Sequence, residues 1–281
     1  MKGLVDQEIF TPIRDSLRSF SSRLVREKKK TLLFAKPTLE GALAIAPIEA
    51  ALLDSNIPYR RRFTTSEPNS EPFIHITDNT DLKKTDLFGI SLSTIIVEGL
   101  RGSHGDSRKG PLTTSAQAHA LAMQINPRSY RLRRMRPWIL SGNWINDALD
   151  TTYDPVYSFL RDYLSEEGSI RVAPITEVNN IHHENYPWIN SNQIREASKK
   201  WQESDLRQRE KIMESLVEPV LFSHSPPTSR VEELLWHCIL GPGWKTDLAS
   251  QISLSSSNWN DDMATVSASS LVDSLLSKGE I

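Results

Sequence analysis

Cysteine is almost missing from this chain: Cys238 stands alone among 281 residues. A single thiol excludes an intramolecular disulfide framework and a cysteine-rich zinc site, and it suits a reducing compartment. On an apolar stretch it reads as a buried structural thiol rather than a nucleophile. Long apolar runs are missing as well. Nothing approaches the roughly 20 residues that cross a bilayer, and the N-terminus lacks a signal-peptide core, so the expectation is a soluble, cytoplasmic protein. Charge of one sign is equally absent, with 33 basic against 35 acidic residues. No global basic field recruits nucleic acid, and any such surface has to be local. There is no P-loop, no Gly-x-Ser-x-Gly elbow and no internal repeat.

What is present is organised around Thr31 to Phe63. Thr31-Leu32-Leu33-Phe34-Ala35 is a short apolar run, as expected of a strand buried on both faces. Pro37 stops it, and Gly41 permits a tight turn. Ala42 to Leu53 is rich in Ala, Leu and Ile and reads as a helix buried nearly all round, with Pro47 expected to kink it or delay its start. Ser55-Asn56 is a stop signal, and Tyr59 to Phe63 alternates as a strand does. This is the strand–turn–helix–strand unit of a parallel sheet, whose ligands sit beyond the carboxyl end of the strand, here the Lys36–Gly41 turn.

Residues 1–30 read as an amphipathic helical lead-in with a basic end. Phe73-Ile74-His75-Ile76 is a second strand candidate and Leu92 to Val97 a third. Arg101 to Pro111 reads as a loop, and Thr113/Thr114 cap an alanine-rich helix over 116–125. The expected fold class is therefore α/β: a parallel sheet with flanking helices over 31–150, followed by a smaller, mostly helical α/β region over 151–252. Within that region helices are expected over Asp154 to Leu164, Ser191 to Val217 and Val231 to Leu240. Residues 253–281 are read as a loose Ser/Asn-rich segment and a final helix.

The order of pieces resembles the DHH phosphoesterase superfamily, in particular the archaeal RecJ-like exonucleases and their non-catalytic relatives. Members open with an apolar strand, an Asp-x-Asp-Gly turn and an alanine-rich helix that exits near Gly-Ile-Pro-Tyr. Here the turn is Thr38-Leu39-Glu40-Gly41 and the exit Ser55-Asn56-Ile57-Pro58-Tyr59-Arg60. Asp78 is placed where a second aspartate ends the next strand, and Glu98-Gly99-Leu100 where the Asp-His-His signature stands. A two-metal phosphoesterase needs carboxylates and histidines around paired ions. Thr38 lacks the expected charge, Glu40 carries its carboxylate on a longer arm, and both signature histidines are gone.

The resemblance thus implies a degenerate, non-catalytic subunit, a pseudoenzyme without metal or cofactor, acting in DNA replication or repair beside partners such as GINS and the replicative helicase. The alternative is an active Mn2+- or Mg2+-dependent single-strand exonuclease or small phosphoesterase using Glu40, His75, Asp78 and Glu98. His75 with Asp78 reads first as a satisfied strand-end histidine, and His182-His183-Glu184 as a polar loop. His104-Gly105-Asp106 reads as a surface loop, and the aspartates of 147–154 as an Asx turn capping a helix. Basic side chains carry the remaining functional signal. Arg60 and Arg62 share one face of a strand, and Arg128, Arg131, Arg133, Arg134 and Arg136 are interleaved with Tyr130 and Trp138. Arginine beside aromatics suits phosphate contact and base stacking on single-stranded DNA or RNA, and an interface salt-bridge patch is the plainer account.

Overall fold

The computed structural model describes residues 3–68, 70, 72–79, 88–101, 107–146, 153–221 and 226–281. Two 3-10 turns bury Leu4, Val5, Ile9 and Phe10 ahead of α1 (Arg14–Glu27). That helix buries Leu17, Phe20 and Leu24 along one stripe and stops at Lys28, whose φ of 48° is left-handed. β1 (Thr31–Ala35), α2 (Leu39–Asp54) and β2 (Tyr59–Phe63) form the expected unit, and Asn56 turns the chain with a φ of 53°.

α2 runs from Leu39 through Pro47 to Asp54, so the proline does not delay the start of the helix. The missing hydrogen bond costs about 3 kcal/mol, and burial of every residue from Gly41 to Leu52 outweighs it. The helix is built of alanines because α3 and α11 both pack closely on it.

β3 (Phe73–Ile76) and β4 (Gly89–Leu92) complete a four-stranded parallel sheet in the order β2-β1-β3-β4. Leu33, Ala35, Ile74 and Ile76 turn to the helix-covered core, so Phe34, Phe73 and His75 alternate to the opposite face. The strand expected over Leu92 to Val97 is interrupted at Ser93-Thr94. β5 (Ile95–Arg101) then leaves the parallel sheet and pairs antiparallel with β6 (Ser107–Leu112), much of the stretch read as a loop. A bulge lies between Glu98 and Leu100. There a Cβ on Gly99 would meet the backbone of Pro155 at 2.8 Å, so glycine is what lets the hairpin lie on the next helical layer.

α3 (Thr114–Ile125), α4 (Tyr130–Met135), a 3-10 turn and α5 (Ser141–Ile145) follow, then α6 (Pro155–Glu166). Beyond them come β7 (Arg171–Ala173), α7 (Ser191–Trp201), α8 (Leu206–Leu221), α9 (Thr228–Leu235), β8 (Cys238–Leu240), α10 (Leu248–Ser257) and α11 (Ala264–Lys278). Three expectations are corrected in this part. Ser191 to Val217 is two helices, because Asp205 and Gln208 exchange reciprocal side-chain-to-backbone bonds of 2.9 Å that start α8 afresh. The helix expected over Val231 to Leu240 ends at Leu235, and Cys238 to Leu240 pairs with β7 instead. Half of the segment read as loose, Ser253 to Asp262, belongs to α10, which is capped by the buried Asp247. α11 returns to α2, and Trp138 Nε1 donates to Gly279 O at 3.0 Å, tying the C-terminus to the first layer. Among the described residues no helix is long and apolar enough to cross a membrane.

His119 on α3 is fully enclosed, its ring nitrogens 2.9 Å from Ser115 O and 3.0 Å from Met135 O. Burial pushes its pKa down to about 4 from 6.5. On acidification the unfolded chain therefore takes up the proton first, so the contribution of neutral His119 is complete above pH 6.5 and lost as pH falls towards 4. The loss amounts to about 3 kcal/mol. Burial raises the pKa of Glu49 and Asp154, which shifts stability the other way. The measurement is accordingly the difference between wild type and His119→Gln in urea unfolding, followed from pH 7 to pH 4. A constant difference would remove the assignment.

Candidate functional site

The strand order reverses direction between β1 and β3, because β2 lies on one side of β1 and β3 on the other. Loops leaving the carboxyl ends of two such strands diverge and open a crevice. A cleft of about 490 Å3 occupies this place. Thr38 and Glu40 enter it from the start of α2, Thr77 and Asp78 from the end of β3, Thr94 from the end of β4, and Thr114 and Asn146 from α3 and the end of α5.

Local sequence explains the placement. Thr38 is the N-cap of α2 and accepts from Gly41 N at 3.1 Å, which leaves Glu40 in the first helical turn, where the positive end of the helix favours a carboxylate. Glu40 Oε1 accepts from Thr114 Oγ1 at 2.9 Å and from Asn146 Nδ2 at 3.3 Å. Asp78 is ion-paired with Lys36, the residue that follows β1. Both side chains of that pair are well exposed, so it is worth no more than about 1 kcal/mol.

Of the four side chains considered for a metal site, Glu40 and Asp78 share this cleft and the other two do not. His75 lies on the opposite sheet face, edge-on to Phe34 at 6.4 Å and with Nδ1 3.8 Å from Glu67. Burial lowers its pKa. Glu98 sits in the middle of β5 across from Lys109, and the residues that follow the last parallel strand towards the cleft are Ser93 and Thr94. The alignment of Glu98-Gly99-Leu100 with the strand-end signature is corrected accordingly: the parallel strand ends at Leu92, and 95–101 belong to the hairpin. Among the described residues no three of His, Cys, Asp and Glu come together as metal ligands. Among the described residues the two carboxylates of the cleft are already engaged, one by an ammonium group and the other by a hydroxyl and an amide, which is not the donor set of a two-metal centre.

The arginines divide between two layers. Tyr59 and Arg61 reach α2 and α11, so Arg60 and Arg62 project from the other face of β2, exposed and without an ion-pair partner among the described residues. In the second group Arg131 pairs with Asp54, Arg136 with Glu167 at 2.6 Å, and Arg134 donates to Ser277 O at 3.2 Å and lies over Tyr130. Those three hold α4 and the following turn against their neighbours. Arg128 and Arg133 are the exposed pair of this group. His182 pairs with Glu184 at 3.1 Å, and Asp154 caps α6, its Oδ1 accepting from Val156 N at 2.9 Å. His104, Asp106, Asp147 and Asp150 lie outside the described residues. Cys238 is buried, as expected, with Sγ donating to Leu234 O at 3.1 Å.

Sequence reading located the Lys36–Gly41 turn but missed Lys36 itself, Thr94, Thr114 and Asn146. Thr114 carried a signal only as half of a helix cap, and Asn146 none at all.

No family model matches the chain, and no curated protein does. Among solved structures it is similar to CDC45 from Entamoeba histolytica, with a TM-score of 0.51 and 11% sequence identity over 97% of this chain and 68% of that one. That likeness is one of fold: an α/β architecture with a parallel sheet flanked by helices.

Proposed function

We propose that this chain is a non-catalytic subunit of the archaeal RecJ-like kind, working in a DNA replication or repair assembly through protein partners of the GINS and helicase type. The observation that carries this reading is the cleft at the sheet's switch point. It lies where the resemblance puts a DHH-type site, while four of its nine lining residues are threonines and its two carboxylates bond to Lys36, Thr114 and Asn146. Likeness to CDC45, a replication factor, agrees with it. Activity then passes from the site to surfaces. Single-stranded DNA or RNA is a second ligand, with Arg128 and Arg133 the exposed phosphate-binding groups.

The test is a nuclease assay with manganese on single-stranded DNA and RNA, wild type beside Glu40→Ala. The expected result is no cleavage by either protein. Manganese-dependent cleavage that disappears in Glu40→Ala would establish the alternative, an Mn2+- or Mg2+-dependent exonuclease or small phosphoesterase, which the shared location of Glu40 and Asp78 favours. Binding to an oligothymidine should weaken in Arg128→Glu/Arg133→Glu, and its salt slope should fall by about 1 for each phosphate that an arginine no longer neutralises. An unchanged slope would remove those arginines from the interface.

A further inference from the structure

We infer that the outer edge of β2 accepts an extended acidic segment of a partner protein as an added strand. The inference rests on the partner-binding reading above and names one surface for it. β2 is an edge strand of the parallel sheet. Thr31 N donates to Pro58 O at 2.9 Å before it, and Thr64 N donates to Ala35 O at 2.8 Å after it. In a parallel ladder with the register Thr31↔Tyr59 to Ala35↔Phe63, those two bonds fix the alternation. Main-chain groups of Pro58, Arg60, Arg62 and Thr64 serve β1. The N–H and C=O groups of Tyr59, Arg61 and Phe63 point outward, and no described backbone group bonds them.

Side chains on this edge are equally sorted. Tyr59 donates to Glu49 at 2.9 Å, and Arg61 bridges Glu49 at 3.3 Å and Asp273 at 2.9 Å, so both are spent inside the fold. Arg60 and Arg62, two residues apart, project together from the other face. A groove of about 520 Å3 follows the strand between these residues, Ser66 and the α11 residues Thr265 and Ser269. Glu67 also lines it, held towards His75 at 3.8 Å. Met263 and Val266, beside the first turn of α11, are exposed apolar groups.

Charge selects the occupant. A second copy of this chain added edge to edge would set Arg60 and Arg62 against their own equivalents, which is repulsive. A nucleic acid supplies anions but no ladder of N–H and C=O groups for Tyr59, Arg61 and Phe63. An extended peptide with acidic residues at every second position supplies both, and apolar residues at the alternate positions suit Met263 and Val266.

The probe is a fluorescein-labelled peptide that alternates glutamate and valine, followed by anisotropy with the full chain. Saturable binding is expected, weakened at least about tenfold in Arg60→Glu/Arg62→Glu and absent for a lysine–valine counterpart. Binding should also be lost when alternate peptide nitrogens are methylated, and amide exchange at Tyr59, Arg61 and Phe63 should slow in the complex. Because both arginines are exposed, the double variant should fold, and its circular dichroism checks this. The proposal is overturned if the glutamate–valine peptide does not bind, if methylated peptide binds equally well, or if oligothymidine competes with the same arginine dependence. A failed titration beside a silent nuclease assay removes this edge and leaves the non-catalytic reading; manganese-dependent cleavage removes that reading and leaves the edge.

Discussion

Glu233→Ala is expected to lose about 3–5 kcal/mol of stability, a large share of the roughly 5–15 kcal/mol that holds a domain together. Glu233 on α9 is 3% exposed, and its carboxylate takes the Tyr157 hydroxyl at 3.1 Å, the Arg161 guanidinium, and His237 Nδ1 at 3.1 Å. Trp144 Nε1 in turn donates to the Tyr157 oxygen at 3.2 Å. The network joins α5, α6 and α9, and burial and then the Glu233 charge push the Tyr157 pKa up. Truncation leaves the buried Tyr157 hydroxyl without its acceptor and the mostly buried Arg161 guanidinium with only the exposed Asp162 as its carboxylate partner, and that loss sets the size of the effect. Glu233→Gln keeps the volume and part of the bonding and should lose less, about 1–3 kcal/mol. Arg161→Met/Glu233→Met should recover much of the deficit, because it removes both charges together. Urea unfolding of the four proteins decides it; a midpoint for Glu233→Ala equal to that of wild type would show the network to be ornamental.

Gly41→Ala carries the second large effect, and it strikes the cleft itself. Gly41 lies within the first turn of α2, where a Cβ would stand 2.4 Å from Lys36 O and 3.2 Å from both Ala35 Cβ and Thr38 Oγ1. The nearest atom is backbone, so the helix start and the Lys36 turn must separate. The expected loss is about 1–3 kcal/mol, read as a fall of roughly 2–5 °C in Tm for a chain of this length. Gly168 is the control. It has a left-handed φ of 75° and open space around its Cβ position, so Gly168→Ala carries only the backbone penalty, about 1 kcal/mol. A Gly41→Ala protein no weaker than Gly168→Ala would contradict the close approach.

The residues of the first unit were legible because their signals are local. The apolar run of β1, the Thr38 cap and the alternation of Tyr59 to Phe63 each act within a few residues of themselves. Asn56 carries its own permission for a left-handed turn. The role of Gly41 was read from the right residue for a different reason: it permits helix–strand contact rather than a turn. Glu98-Gly99-Leu100 was misplaced because nothing near it says that the chain has already left the parallel sheet. Its glycine is explained only by Pro155 lying against it. The arginines of 128–136 looked alike in sequence, yet acidic or carbonyl partners distant in the chain consume three of them.

By itself, the sequence determined the parallel unit at Thr31 to Phe63, the cleft's position beyond β1 and the Thr38 cap that opens the following helix, because strand periods, caps and side-chain chemistry are written residue by residue. Only the tertiary structure decided that Lys36 meets Asp78, that Thr114 and Asn146 meet Glu40, and that Arg60 and Arg62 stand exposed on an open edge. Those outcomes depend on which distant segments share a layer, a matter of packing that no local pattern encodes.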